Sequence, residues 1–168
     1  MKVEQLNPLR QETAIKNFRF NRFLLLRYLL AVFFFINLYW FLALVMSRSV
    51  MMLLPLSLLV ICTGAVMEHV KLYGEKSNHL DKHLHINFTY HCIQVVVNVG
   101  LGLTSMTGLA HTHVYPFLAD SVQLRLTLAA ILVIGIIMSL ICIKRIRAIQ
   151  RQADKHFQYM QEFEKILK

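Results

Sequence analysis

Four long apolar runs separated by short polar segments constrain this chain more than any other feature. They lie at 23–46, 50–67, 86–110 and 122–143. A helix needs about 20 mostly apolar residues to cross roughly 30 Å of hydrocarbon. Inside a bilayer the backbone has no water to bond, so runs of this kind cross as helices. The expected fold is an all-α membrane protein with four transmembrane helices and amphipathic cytoplasmic helical extensions at both termini. Composition agrees: hydrophobic residues make up 57% of the 168, against about 45–50% in soluble domains.

The polar flanks complete the expected division. Residues 1–22 form a basic amphipathic segment, 23–143 the four-helix membrane domain, and 144–168 a basic amphipathic helical tail. Asn7 followed by Pro8 suits a helix start, with Asn capping and Pro in the first turn. Leu9, Ala14, Ile15 and Phe18 then give a partly apolar face, as in a short helix lying on the membrane surface. The lead is long and basic and the second run follows closely on the first, which differs from a cleavable signal peptide.

Further expectations concern the joints. Ser47-Arg48-Ser49 is short enough to force an antiparallel hairpin. Pro55 is a candidate kink in the second span. Gly74 suits the end of that helix. Asn78 suits the start of a third helix that carries Asp81, Lys82, His83 and His85 before entering the membrane. Asp120 and Gln123 resemble a capping box for the fourth. The fourth span and the tail contain no proline and can form one helix of about 47 residues, near 70 Å long.

Charge sets the expected orientation. Six Lys or Arg occur up to Arg27, three more at Lys71, Lys76 and Lys82, and seven in the tail, which places sixteen on one side. Arg48 and Arg125 alone fall on the other. By the positive-inside rule both termini are cytoplasmic. Arg22, Arg27, Lys144, Arg145 and Arg147 are then placed to meet lipid headgroups, and anionic inner-leaflet lipids are the expected partners. The net charge of +9 is explained by topology, so no nucleic-acid partner is expected. A bacterial plasma membrane fits the short hairpins and basic flanks.

The third span carries the densest polar pattern. On a helical wheel of about 100° per residue, Asn87, His91, Gln94, Asn98 and Ser105 fall on one side. Polar groups in hydrocarbon face the bundle interior or a wet cavity. Gly100, Thr104 and Gly108 recur every fourth residue on the other side, a stripe that lets another helix approach closely. The tail carries a 3-4 apolar stripe of Ile146, Ile149, Met160, Phe163 and Leu167, suited to docking on a partner or pairing with itself.

Catalytic patterns are missing from the sequence: there is no phosphate-binding loop, nucleophile motif, carboxylate pair or HExxH. Cys62, Cys92 and Cys142 are odd in number and lack a CxxC, so they are expected to fill space. The eight histidines raise a metal or haem reading through His69, His91 or the loop pair His111 and His113. Zinc would want three or four converging donors, and the chain is expected to hold no metal or cofactor. The preferred expectation is a non-enzymatic membrane subunit acting through protein association, in an accessory, assembly or immunity-type role. The alternatives are a small oligomeric channel or transporter lined by the polar side of the third span, and a metal- or haem-binding membrane protein.

Overall fold

The computed structural model describes residues 8–74, 84–106, 114–118 and 121–153. Among them it is all-helical, with four helices long and apolar enough to cross a membrane. These are α1 (Pro8–Met46), α2 (Leu53–Gly74), α3 (His85–Met106) and α4 (Val122–Gln150). They follow one another as an antiparallel bundle. Each packs on its neighbour in sequence, α3 most extensively on α4, and α4 closes back on α1.

The first helix corrects one expectation. α1 runs 39 residues without interruption, about 58 Å at 1.5 Å per residue. After Pro8 it contains no glycine or proline, so nothing separates a surface helix from the span. The amphipathic lead is a continuation of the span rather than a helix of its own.

The α1–α2 joint is the tight hairpin expected of three residues. Arg48 adopts φ 50°. Ser49 N–H bonds Leu44 O at 3.0 Å and Arg48 N–H bonds Val45 O at 3.0 Å. These two bonds satisfy the last carbonyls of α1 in a Schellman ending. Ser49 Oγ then accepts from Met51 N–H at 3.3 Å, capping a 3-10 turn at Val50–Met52. Pro55 falls in the first turn of α2, where a helix N–H has no partner anyway. The proline starts the helix instead of kinking it. The described part of α2 reaches Gly74, which is still helical; the expected end of the helix there lies at the limit of the described residues.

The start of α3 is a second correction. The expected cap at Asn78 and the first turn at Asp81 lie outside the described residues. Leu84, however, has φ 77°, and α3 begins at His85, so no helix runs continuously into the span. The cap comes from another helix. Glu68 on α2 accepts from Asn87 N–H at 3.0 Å and Ile86 N–H at 3.3 Å. A carboxylate there meets both the open donors and the positive end of the helix dipole. Glu68 lies near the C-terminal end of the candidate span Val50–Lys71.

Serine caps α4, one residue later than expected. Ser121 Oγ accepts from Leu124 N–H at 3.3 Å; Asp120 lies outside the described residues. The far end of α4 is the third correction. Ala153 N–H bonds Ala148 O and Gln152 N–H bonds Ile149 O, both at 3.0 Å, with Gln152 at φ 52°. This Schellman ending stops the helix at Gln150, so span and tail are not one helix of about 47 residues.

Two apolar clusters hold the bundle. At the end where α1 enters and α4 leaves (the basic end), Phe23, Leu26, Leu84, Cys142, Ile146 and Ile149 are buried together. Deeper in, Leu30, Phe33, Leu58, Cys62, Ala65 and Tyr90 form the second. Cys62, Cys92 and Cys142 are all free thiols.

Candidate functional site

The five residues expected on the polar side of α3 all sit inside the bundle. Asn87, His91 and Ser105 are fully buried, and Gln94 and Asn98 nearly so. Their burial follows from the helical period, which lines them up on the side facing α1, α2 and α4. A fully buried polar group must find a partner or lose free energy, and most of this seam is internally bonded. Asn37 of α1 reaches across with its Nδ2 to Tyr90 Oη at 3.2 Å and Gln94 Oε1 at 3.4 Å, as well as to Phe33 O at 2.9 Å. Tyr90 Oη donates to Gln94 Oε1 at 3.2 Å, and Gln94 Nε2 donates to Asn98 Oδ1 at 3.0 Å. Each such bond is worth about 0.6 kcal/mol in a membrane helix bundle.

Helix α4 makes room for this seam with small residues. An ideal Cβ built on Gly135 would lie 2.6 Å from Asn98 Nδ2, so the Asn98 amide occupies the space a side chain would take. One turn further on, Ser139 is fully buried. Neither residue was singled out from the sequence. The signal was present: Gly135, Ser139 and Cys142 share one face of α4, the face that continues to Ile146 and Ile149. Tyr90 was also missed, because an aromatic near a polar stripe reads as ordinary packing.

Toward the basic end the seam is less complete. Asn87 Nδ2 donates to His69 Nε2, which leaves the His69 proton on Nδ1. That Nδ1, Asn87 Oδ1, both ring nitrogens of His91 and Ser139 Oγ are buried with no hydrogen-bond partner among the described residues. His91 instead lies edge-on to Phe33, at 5.6 Å, and to Tyr90, at 5.2 Å between ring centroids. Leaving a buried polar atom unpaired costs about 1–3 kcal/mol, so this corner holds polar side chains that stability alone does not favour.

The outward side of α3 is different. Gly100 and Thr104 are exposed, with Val96 71% and Leu103 69% exposed beside them. A Cβ added at Gly100 meets no atom within 4 Å. Thr104 Oγ1 is satisfied within its own helix by Gly100 O at 3.1 Å and Leu101 O at 3.0 Å. The face is therefore narrow, with its hydroxyl satisfied and its surface open. Gly108, its third expected member, lies outside the described residues.

The expected docking stripe of the tail is corrected. Ile146 and Ile149 are fully exposed to nothing: both are 0% accessible, packed on Phe23, Leu26 and Leu84. They belong to the bundle core because the inward face of α4 extends beyond its apolar run. Met160, Phe163 and Leu167 lie outside the described residues. Of the expected headgroup cations, Arg22 lies in α1 and Arg27 is half-buried. Lys144 is exposed and Arg145 half-buried on α4. Arg147 stacks its guanidinium 5.3 Å over Phe88, a contact worth about 0.5–1 kcal/mol at an exposed site.

At the opposite end, Trp40 ties the last connection to α1. Its Nε1 donates to Val114 O at 3.3 Å, and its ring stacks on Tyr115 at 5.8 Å. Burial pushes the Tyr115 hydroxyl up from 10.0 to about 12. The stability this contributes is fully present below pH 10 and is lost as pH rises through about 12. Tyrosinate absorbance lost on Tyr115→Phe should show a midpoint near pH 12; an ordinary midpoint near 10 would mean the ring is not held against Trp40.

Among the described residues no three His, Cys, Asp or Glu side chains converge on one point. His111 and His113, with His79 and His83, lie outside them. Comparison with known proteins finds no matching family model, no matching curated protein and no matching solved structure.

Proposed function

We propose that this chain is a non-enzymatic membrane subunit that works by binding another membrane protein through the outward face of α3. The observation that carries this is the asymmetry of that helix. Its polar side is buried in its own bundle and bonded there through Gln94 and Asn98, while Gly100 and Thr104 present a shallow, open face to the surroundings. Without a hydrophobic force between helices in lipid, close backbone approach over small residues is what favours association. Both termini are cytoplasmic in this proposal, by the distribution of Lys and Arg.

A channel between copies, lined by His91, Gln94, Asn98 and Ser105, is less well supported. Those side chains are buried within a single chain, so copies could share them only by opening the bundle. A haem between His69 and His91 would first have to break the bond from Asn87 to His69 Nε2.

Gly100→Leu separates folding from association. Nothing in the same chain stands near its Cβ, so the variant should keep the melting temperature of the wild type. Its association in a mild detergent should weaken by about tenfold or more, the equivalent of about 1.4 kcal/mol. Unchanged association with unchanged stability would remove the α3 face from the proposal.

A further inference from the structure

A cleft opens between α1 and α2 near the basic end. It encloses about 510 Å³, within the roughly 300–1,000 Å³ of small-molecule sites. Its walls are almost wholly apolar: Leu30, Ala31, Phe34 and Phe35 from α1, Thr63, Val66 and Val70 from α2. Two polar side chains join them, Arg27 and His69. The distribution is not random. On α1 the wall residues rise from Arg27 to Phe35, one turn after another along a single stripe. α2 runs antiparallel, so His69 and Val70 lie at the level of Arg27, and Thr63 lies deeper. The cleft therefore has a cationic head and an apolar body.

The dimensions match one leaflet. From Arg27 to Phe35 the helix rises about 12 Å, and one leaflet offers roughly 15 Å, half of the ~30 Å hydrocarbon core. His69 forms part of the wall at the level of Arg27, 4% exposed, with its Nε2 bonded to Asn87 inside the bundle.

We infer that this cleft binds one anionic phospholipid from the leaflet at the basic end, with the phosphate at Arg27 and an acyl chain along Leu30, Phe34 and Val66. The charge of Arg27 selects the anionic headgroup, because the guanidinium pairs with phosphate more strongly than a neutral donor does. The site is separate from the outward face of α3, so it stands or falls without the association proposed above.

Native mass spectrometry of the detergent-purified chain tests it. Phosphatidylglycerol and phosphatidylcholine with the same tails would be titrated separately. The expected result is one tightly held phosphatidylglycerol, preferred by about tenfold. Arg27→Gln should erase the preference while leaving weak binding of both lipids. Ala31→Trp, which fills the cleft from its exposed wall, should abolish the tight adduct, and Val66→Phe should do the same from the other wall if the first variant fails to fold. Equal affinity for the two lipids in the wild type overturns the proposal, since the lipid is then an ordinary annular contact. So does a phosphatidylglycerol adduct that survives both filling substitutions in folded protein, or a clear preference for an added isoprenoid quinone.

Discussion

Gly135→Leu should lower the melting temperature of the detergent-purified protein by roughly 10 °C. The cause is local and can be followed atom by atom. Even a single Cβ at this position comes within 2.6 Å of Asn98 Nδ2, and Asn98 is held by Gln94 Nε2 at 3.0 Å. A leucine must push α4 away from α3 or turn the Asn98 amide out of its bond. Overpacking costs about 1–3 kcal/mol, and an unpaired buried amide about as much again. At about 2–4 °C per kcal/mol for a chain of this size, the sum is of the order stated. Gly102→Ala has the opposite sign. Its Cβ meets nothing within 4 Å, so the better helix former should stabilise slightly, by up to about 1 kcal/mol. Equal melting temperatures for the two variants would mean that α4 does not lie against Asn98 as described.

Ile149→Ala should be nearly as damaging, at about 2–5 kcal/mol for a fully buried aliphatic side chain cut back to a methyl group. Ile149 lies beyond Lys144, Arg145 and Arg147, yet it is 0% accessible among Phe23, Leu26, Leu84, Cys142 and Ile146. Past the charged residues this cluster competes with water, so the hydrophobic effect contributes as well as packing. Ile141→Ala provides the comparison. Ile141 is 47% exposed on the apolar part of the same helix, and its truncation should cost little. Thermal denaturation followed by the loss of monodisperse protein would rank the two. If Ile149→Ala behaved like Ile141→Ala, the residue would be free to dock elsewhere, as the sequence pattern alone suggests.

That comparison also shows where sequence reasoning reached and where it stopped. The spans were legible because long apolar runs have few physical alternatives. The helix ends at Arg48 and Gln152 use the left-handed ending without the glycine that usually marks it, so nothing local announced them. Leu84 is similar: a branched apolar residue at φ 77° is placed there by burial in the cluster with Phe23 and Ile146, not by its own preference. The cap from Glu68 is a contact between residues 68 and 86–87, which no local motif encodes.

The polar side of α3 was legible in its membership but not in its partners. Helical period put Asn87, His91, Gln94, Asn98 and Ser105 together, while Asn37 is a lone amide in the apolar run of another helix. Tertiary packing joined them. The tail stripe failed for a related reason. Ile146 and Ile149 keep a 3-4 spacing because they continue the buried face of Ser139 and Cys142, and the period of a core face looks the same as that of a free docking face. Activity was the least legible, since the residues that distinguish this chain are packing residues and no motif for chemistry accompanies them.

The measurement closest to the central proposal is the intact mass of the native protein in a mild detergent, taken from its own membrane. The account predicts a reproducible complex larger than the 19.6 kDa chain, containing a second membrane protein in fixed ratio and weakened by Gly100→Leu. A lone chain in every mild detergent, or a complex made only of copies of this chain, would contradict it.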